Sequence, residues 1–134
     1  MKITWLGHAS VLLEGSKTVL IDPFFHNNPS ATTTVEELPP IDVVLCTHDH
    51  FDHAGDLLAV CQKKGATFVG QYELTERADL KEAGVSVVGM NIGGTYNVDD
   101  SLSVTLTPAV HSSTLGSPTG VIVTLDGNTV YHAG

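Results

Sequence analysis

Val43-Val44-Leu45-Cys46-Thr47-His48-Asp49-His50-Phe51-Asp52-His53 carries both the centre of a sheet and a cluster of metal-ligating side chains. The apolar run Ile41 to Cys46 lacks the alternation of a half-exposed strand, which predicts a strand buried on both faces. The residues after it place three imidazoles and two carboxylates within six positions, more nitrogen and oxygen donors than a structural role needs. On extended backbone His48, His50 and Asp52 project to one side at two-residue steps, and the turn into a following helix swings His53 toward the same space. Four such ligands close together imply two divalent ions, zinc foremost, with manganese and iron also suited to imidazole and carboxylate. The competing reading, a solvated His/Asp loop, requires a pattern this specific to have arisen by chance.

Outward from this stretch, a helix is expected with Asp56 as N-cap, an apolar stripe of Leu57, Leu58, Val60 and Cys61, and Gly65 as its stop. Ala66 to Gly70 reads as a strand. Glu73 to Ala83 reads as a second helix with a Glu73/Arg77 pair, and Val85 to Val88 as another strand, so the middle of the chain is βαβαβ. Upstream, Lys2 to Leu6, Ser10 to Glu14 and Lys17 to Asp22 form an antiparallel meander, followed by a polar loop. Downstream the pattern returns to hairpins. Leu102, Val104 and Leu106 alternate with polar residues, and Asp126-Gly127-Asn128 is a turn between Gly120 to Leu125 and Thr129 to Tyr131. Sheet plus helices gives the class α/β (α+β). His111, after Pro108-Ala109-Val110 at a strand end, is a candidate third ligand for a cluster that is one short.

Composition excludes several function classes. The 134 residues carry 15 acidic and 6 basic side chains, a net charge of −9, which argues against nucleic acid as a partner. The longest apolar runs are far too short to cross a bilayer, and Gly7 and His8 interrupt any signal-peptide core, so no membrane and a cytoplasmic location are expected. Cys46 and Cys61 read as reduced core residues. The partner expected for the His/Asp cluster is a small-molecule substrate.

The motif His48-x-His50-x-Asp52-His53, preceded by an apolar strand and Thr47, resembles the signature of the metallo-β-lactamase superfamily. Trp5-Leu6-Gly7-His8-Ala9-Ser10 with Ile21-Asp22-Pro23 resembles the branch of small metal-dependent hydrolases that includes ascorbate-6-phosphate lactonase-like proteins. The resemblance covers essentially the whole chain. It implies the N-terminal part of an αββα sandwich, a mixed sheet with helices on one face. It further implies one ion on His48, His50 and His111, a second on Asp52 and His53, and a bridging hydroxide as nucleophile on a small ester, lactone or phosphoester. Asp52 and His8 are then the candidate catalytic residues, His8 through substrate contact or support of the site. By the resemblance Asp22 braces the metal loop; the alternative is a turn-capping residue before Pro23.

The family's next ligand is an aspartate that bridges both ions, due one residue after Tyr131-His132-Ala133-Gly134, with a further histidine later. Neither is in this sequence. The expectation is a single, shortened domain over residues 1–134, completed by a complementary C-terminal chain or by dimerisation through an uncovered apolar sheet face. His132 is expected to brace the absent aspartate. The alternative is a non-catalytic metal-binding half-domain that assembles with a partner chain.

Overall fold

Buried, β-branched residues at the middle of the chain build a parallel sheet, and alternating residues at its end build an antiparallel one. The computed structural model describes residues 1–134. A six-stranded mixed sheet has the order β1 (Lys2–Gly7), β2 (Ser10–Glu14), β3 (Thr18–Ile21), β4 (Val43–Leu45), β5 (Thr67–Gln71), β6 (Val87–Met90). The first three strands pair antiparallel and β3 to β6 pair parallel. Between β4 and β6 lie the helices α1 (Phe51–Ala54), α2 (Leu57–Lys64), α3 (Tyr72–Thr75) and α4 (Ala78–Glu82). A second, antiparallel sheet has the order β10 (Asn128–His132), β9 (Thr119–Leu125), β8 (Leu102–Pro108), β7 (Thr95–Asn97).

The two-residue period of the strands creates two cores. Leu12, Leu20, Val44 and Phe68 turn toward the helices and pack with Leu57, Val60, Leu74 and Leu80. Leu13, Val19, Ile21, Val43, Leu45 and Val69 turn the other way, against Leu102, Val104, Leu106, Val121, Val123 and Leu125 of the second sheet. The layers are therefore helices, mixed sheet, antiparallel sheet, with helices on one face of the mixed sheet as expected. No helix is long and apolar enough to cross a membrane.

Several local expectations change. The segment Glu73 to Ala83 is two short helices. The Thr75 hydroxyl donates to the Tyr72 carbonyl (2.7 Å), taking the acceptor that the next turn would use. Arg77 is extended (φ −53°, ψ 131°), and its fork grips Asp79 (2.6 and 3.0 Å) in place of Glu73. Asp56 precedes α2 but makes no side-chain cap; its Oδ2 accepts the Phe25 and His26 amides (2.6 and 3.0 Å), tying the polar loop down. The last hairpin turn is two residues, Asp126 and Gly127, both at positive φ (52° and 75°), as a tight primed turn requires. The outward face of the second sheet mixes apolar and polar side chains, with Ile122 and the exposed Tyr131 paired across β9 and β10 beside a set of hydroxyls. Ser103, Thr105, Thr107, Thr124 and Thr129 supply these, with hydroxyl pairs between Thr95 and Thr105 (2.7 Å) and between Thr124 and Thr129 (3.0 Å).

Leu45 is fully buried between the two sheets, and its truncation would leave a cavity that rigid strands cannot close. Leu45→Ala should lower the unfolding free energy by about 2–5 kcal/mol in a urea titration; a loss within surface-substitution range would show that the inter-sheet core is not formed.

Candidate metal centre

The parallel strands β3 and β4 end side by side, and the chain leaving each one builds the site. Asp22 follows β3 at positive φ (52°) and is fully buried. Its Oδ1 accepts the Thr47 amide (2.7 Å), while Oδ2 accepts the Thr47 hydroxyl (2.8 Å) and His53 Nδ1–H (2.7 Å). The resemblance expected Asp22 to brace this loop, and these contacts do so.

These bonds set the imidazole tautomers. The Thr47 hydroxyl spends its one proton on a carboxylate that can only accept, so at 3.0 Å it must accept from His48 Nδ1–H. The Nε2 atoms of His48 and His53 are thereby left as the lone-pair nitrogens. Burial, then the charge of His53, pushes the His48 imidazole down to about 4, partly opposed by Asp22; it stays neutral, as a ligand must. His53 moves the other way: burial alone would lower it, but the hydrogen bond and charge of Asp22, helped by Asp52, carry it above the ordinary value.

Two clusters result. One ligand atom from each of His48, His50 and His111 forms a set within 4.8 Å, and His8, Asp52 and His53 form a second set within the same limit. In the first, His48 Nε2 stands 3.0 Å from His50 Nδ1, and the His111 ring lies 4.8 and 5.1 Å from theirs. Two imidazole nitrogens this close either share one proton or face a common cation. The rings of His48 and His53, 4.1 Å apart, join the clusters. Both donor sets, three nitrogens in one and nitrogen with carboxylate oxygen in the other, fit a divalent transition-metal cation. A cleft of about 420 Å³ opens over His48, His53 and His111, walled by Val110, Thr119 and Tyr131.

All five expected ligands, His48, His50, Asp52, His53 and His111, are therefore brought together, and His8 joins them. His132 is not: Nε2 donates to the Ala9 carbonyl (2.9 Å) and Nδ1 accepts the Gly134 amide (3.2 Å), leaving no free lone pair. Cys46 is buried, its thiol pushed well up by desolvation, and belongs to the core. Asp49 has a role that sequence reading missed. Oδ1 accepts the Ser113 hydroxyl and Thr114 amide (both 2.8 Å) and Oδ2 the Leu115 amide (2.7 Å), fastening the loop that carries His111. Burial would raise this carboxyl, but those bonds outweigh it and hold it below the usual range. Thr119 pins the far end of the same loop, its amide and hydroxyl both donating to the Thr47 carbonyl (2.8 and 2.9 Å).

The sequence pattern of the beta-lactamase superfamily domain matches residues 17–134. The chain belongs to the beta-lactamase superfamily. It is 45% identical over 135 residues to a UPF0173 metal-dependent hydrolase of Korarchaeum cryptofilum, covering all of this chain and 60% of that relative. Igni18, a metallo hydrolase of the archaeon Ignicoccus hospitalis, superposes with a TM-score of 0.86 at 39% identity over 98% of this chain and 59% of its own. An isothiocyanate hydrolase from Delia radicum gut bacteria shares the fold, with a TM-score of 0.72 at 23% identity, over 98% of this chain and 61% of its own. The chain thus spans about 60% of the length of the curated relatives it matches.

Asp22→Asn would point an amide donor at two other donors. The unfolding free energy should fall by about 1–3 kcal/mol, and the His53 Nδ1–H resonance should shift or vanish in NMR spectra; an unchanged resonance would mean that Asp22 does not hold the ring. Asp49→Ala should speed amide exchange in residues 109–117 far more than in the strands, with an unfolding midpoint close to that of the parent chain. Equal protection in the loop would show that Asp49 does not anchor it.

Proposed function

We propose that this chain supplies the metal-binding part of a hydrolase that attacks a small ester, lactone or phosphoester with water activated at a two-ion centre. The observation that carries this reading is the convergence of His48, His50 and His111, with the His48 tautomer already fixed by Thr47 and Asp22. His48 Nε2, His50 Nδ1 and His111 would hold one ion, and Asp52 with His53 Nε2 would take part in holding the second. Zinc is the first candidate, with manganese and iron suited to the same donors. Divalent ions bound there would lower the pKa of a coordinated water to about 7 and polarise the oxygen of the bond under attack. The chain's own residues orient and insulate. Asp22 keeps the ring of His53 facing the site, Thr47 keeps that of His48, and Asp49 holds the His111 loop over the cleft.

The names of the curated relatives support the reading, since they are called metal-dependent hydrolases. Because the chain spans about 60% of those relatives, activity is proposed for the longest form that the gene encodes. Location in the cytoplasm, a small-molecule substrate, and either a dimer or a complementary C-terminal chain belong to the same proposal.

Metal analysis tests the first ion. The purified chain should carry about one equivalent or more of bound ion, and His48→Ala and His111→Ala should each lose that equivalent. The longest form should hydrolyse a member of an ester, lactone and phosphodiester panel, lose that activity in EDTA and regain it with zinc, manganese or iron. Metal binding without ion-dependent turnover would leave only the metal-binding role standing.

A further inference from the structure

His8 sits outside the motif and was expected to touch substrate or support the site, yet its backbone is built to deliver its ring to Asp52 and His53. The pairing of β1 with β2 shifts register between Trp5 and Gly7. Gly7 has φ +111°, and a Cβ there would lie 2.3 Å from the Ser30 carbonyl oxygen, so the close approach of these two backbones demands glycine. His8 follows in the left-handed region (φ 53°), a conformation that is strained for a non-glycine residue. Two bonds hold that turn: the Trp5 indole donates to the His8 carbonyl and His132 donates to the Ala9 carbonyl, both at 2.9 Å. The ring stands edge-on to Phe24 (5.8 Å) and to His53 (5.4 Å), with Nε2 3.1 Å from Asp52 Oδ2.

We propose that His8 Nε2 is a ligand of the second ion, completing with Asp52 and His53 a three-donor set supplied by this chain. The inference rests on the two-ion reading above and adds a ligand to it. A half-exposed hydrogen bond between an imidazole and a carboxylate contributes little and could form from an unstrained strand end. Strain kept in place by a glycine, an indole and a histidine is explained by what the ring must reach. The donor atoms of His8, Asp52 and His53 lie within 4.8 Å of one another, and Asp22 already occupies His53 Nδ1, so Nε2 is the nitrogen left to join them. With side chains of His8 and Asp52 45% and 32% exposed, solvent and ions reach the cluster.

The test is a titration of the metal-free chain with Zn²⁺ by calorimetry and with Co²⁺ by its visible absorption, on the parent chain and on His8→Gly and His8→Gln. Glycine removes the ring and relieves the left-handed strain; glutamine keeps a donor for Asp52 without the imidazole. The parent chain should take up two ions. Both variants should keep the ion on His48, His50 and His111 with unchanged affinity and bind the second at least about tenfold more weakly, while His8→Gly should unfold at a temperature no lower than the parent. Second-ion affinity retained in His8→Gly, or restored by His8→Gln, would overturn the assignment and leave His8 as a hydrogen-bond partner of Asp52. A parent chain that binds one ion only would overturn the two-ion reading and this assignment with it.

Discussion

The buried carboxylate of Asp22 is the constraint on which the site depends. It is fully excluded from solvent and satisfied by three donors, two from Thr47 and one from His53. A carboxylate in that position would be prohibitively costly without such partners. With them, it converts the side-by-side ending of two parallel strands into a fixed arrangement of imidazoles. Its backbone joins in: the Asp22 amide donates to the Leu45 carbonyl (2.9 Å), continuing the ladder between β3 and β4, and its carbonyl accepts the Ser10 hydroxyl. The left-handed turn at Asp22 is thus held at both ends, and a residue with a short polar side chain suits that conformation.

Thr47 carries this order across the molecule. Its amide and hydroxyl face Asp22, the hydroxyl oxygen faces His48, and its carbonyl receives the amide and hydroxyl of Thr119 at the start of β9. The mixed sheet, the metal loop and the antiparallel sheet therefore meet at one residue. Asp49 extends the connection to the segment between β8 and β9, so His111 is positioned by the same short stretch that supplies His48 and His50. Neither sheet alone could place all three imidazoles, because two come from the end of β4 and the third from the loop after β8.

What was legible in the sequence follows from this division. Periodicity and turn chemistry are local, so the buried strand before Thr47, the alternation of Leu102 to Leu106, the Asp126-Gly127 hairpin and the Gly65 stop of α2 all appear where expected. The ligand residues were legible because metal chemistry leaves a dense local pattern. Asp49 was not, since its partners lie 64 to 66 residues away and no spacing rule links them. The break at Glu76 and Arg77 was hidden for a related reason. The i,i+4 spacing of Glu73 and Arg77 favours a continuous helix, but the closer carboxylate of Asp79 and the Thr75 hydroxyl compete for the same groups. Asp56 likewise looks like an N-cap in sequence and is claimed by a distant loop in the fold.

The net charge of −9 acquires a local meaning once the cations are placed. Lys2 pairs with Glu14, Lys17 with Asp99, Lys63 with Glu36, Arg77 with Asp79 and Lys81 with Glu76, while Lys64 donates to the Glu36 and Leu38 carbonyls. Each of the six basic side chains is engaged away from the two clusters, whose one carboxylate is that of Asp52, with Asp22 bonded to His53 behind it. These surface pairs contribute little to stability in themselves. Their consequence is electrostatic: no ammonium or guanidinium group competes with a divalent ion for the convergent nitrogens and oxygens, and the surrounding negative potential raises the local concentration of cations. The acidic balance that argues against a phosphate-backbone partner is, at the scale of the cleft, the condition under which a centre built from imidazoles and the Asp52 carboxylate can draw in its own charge.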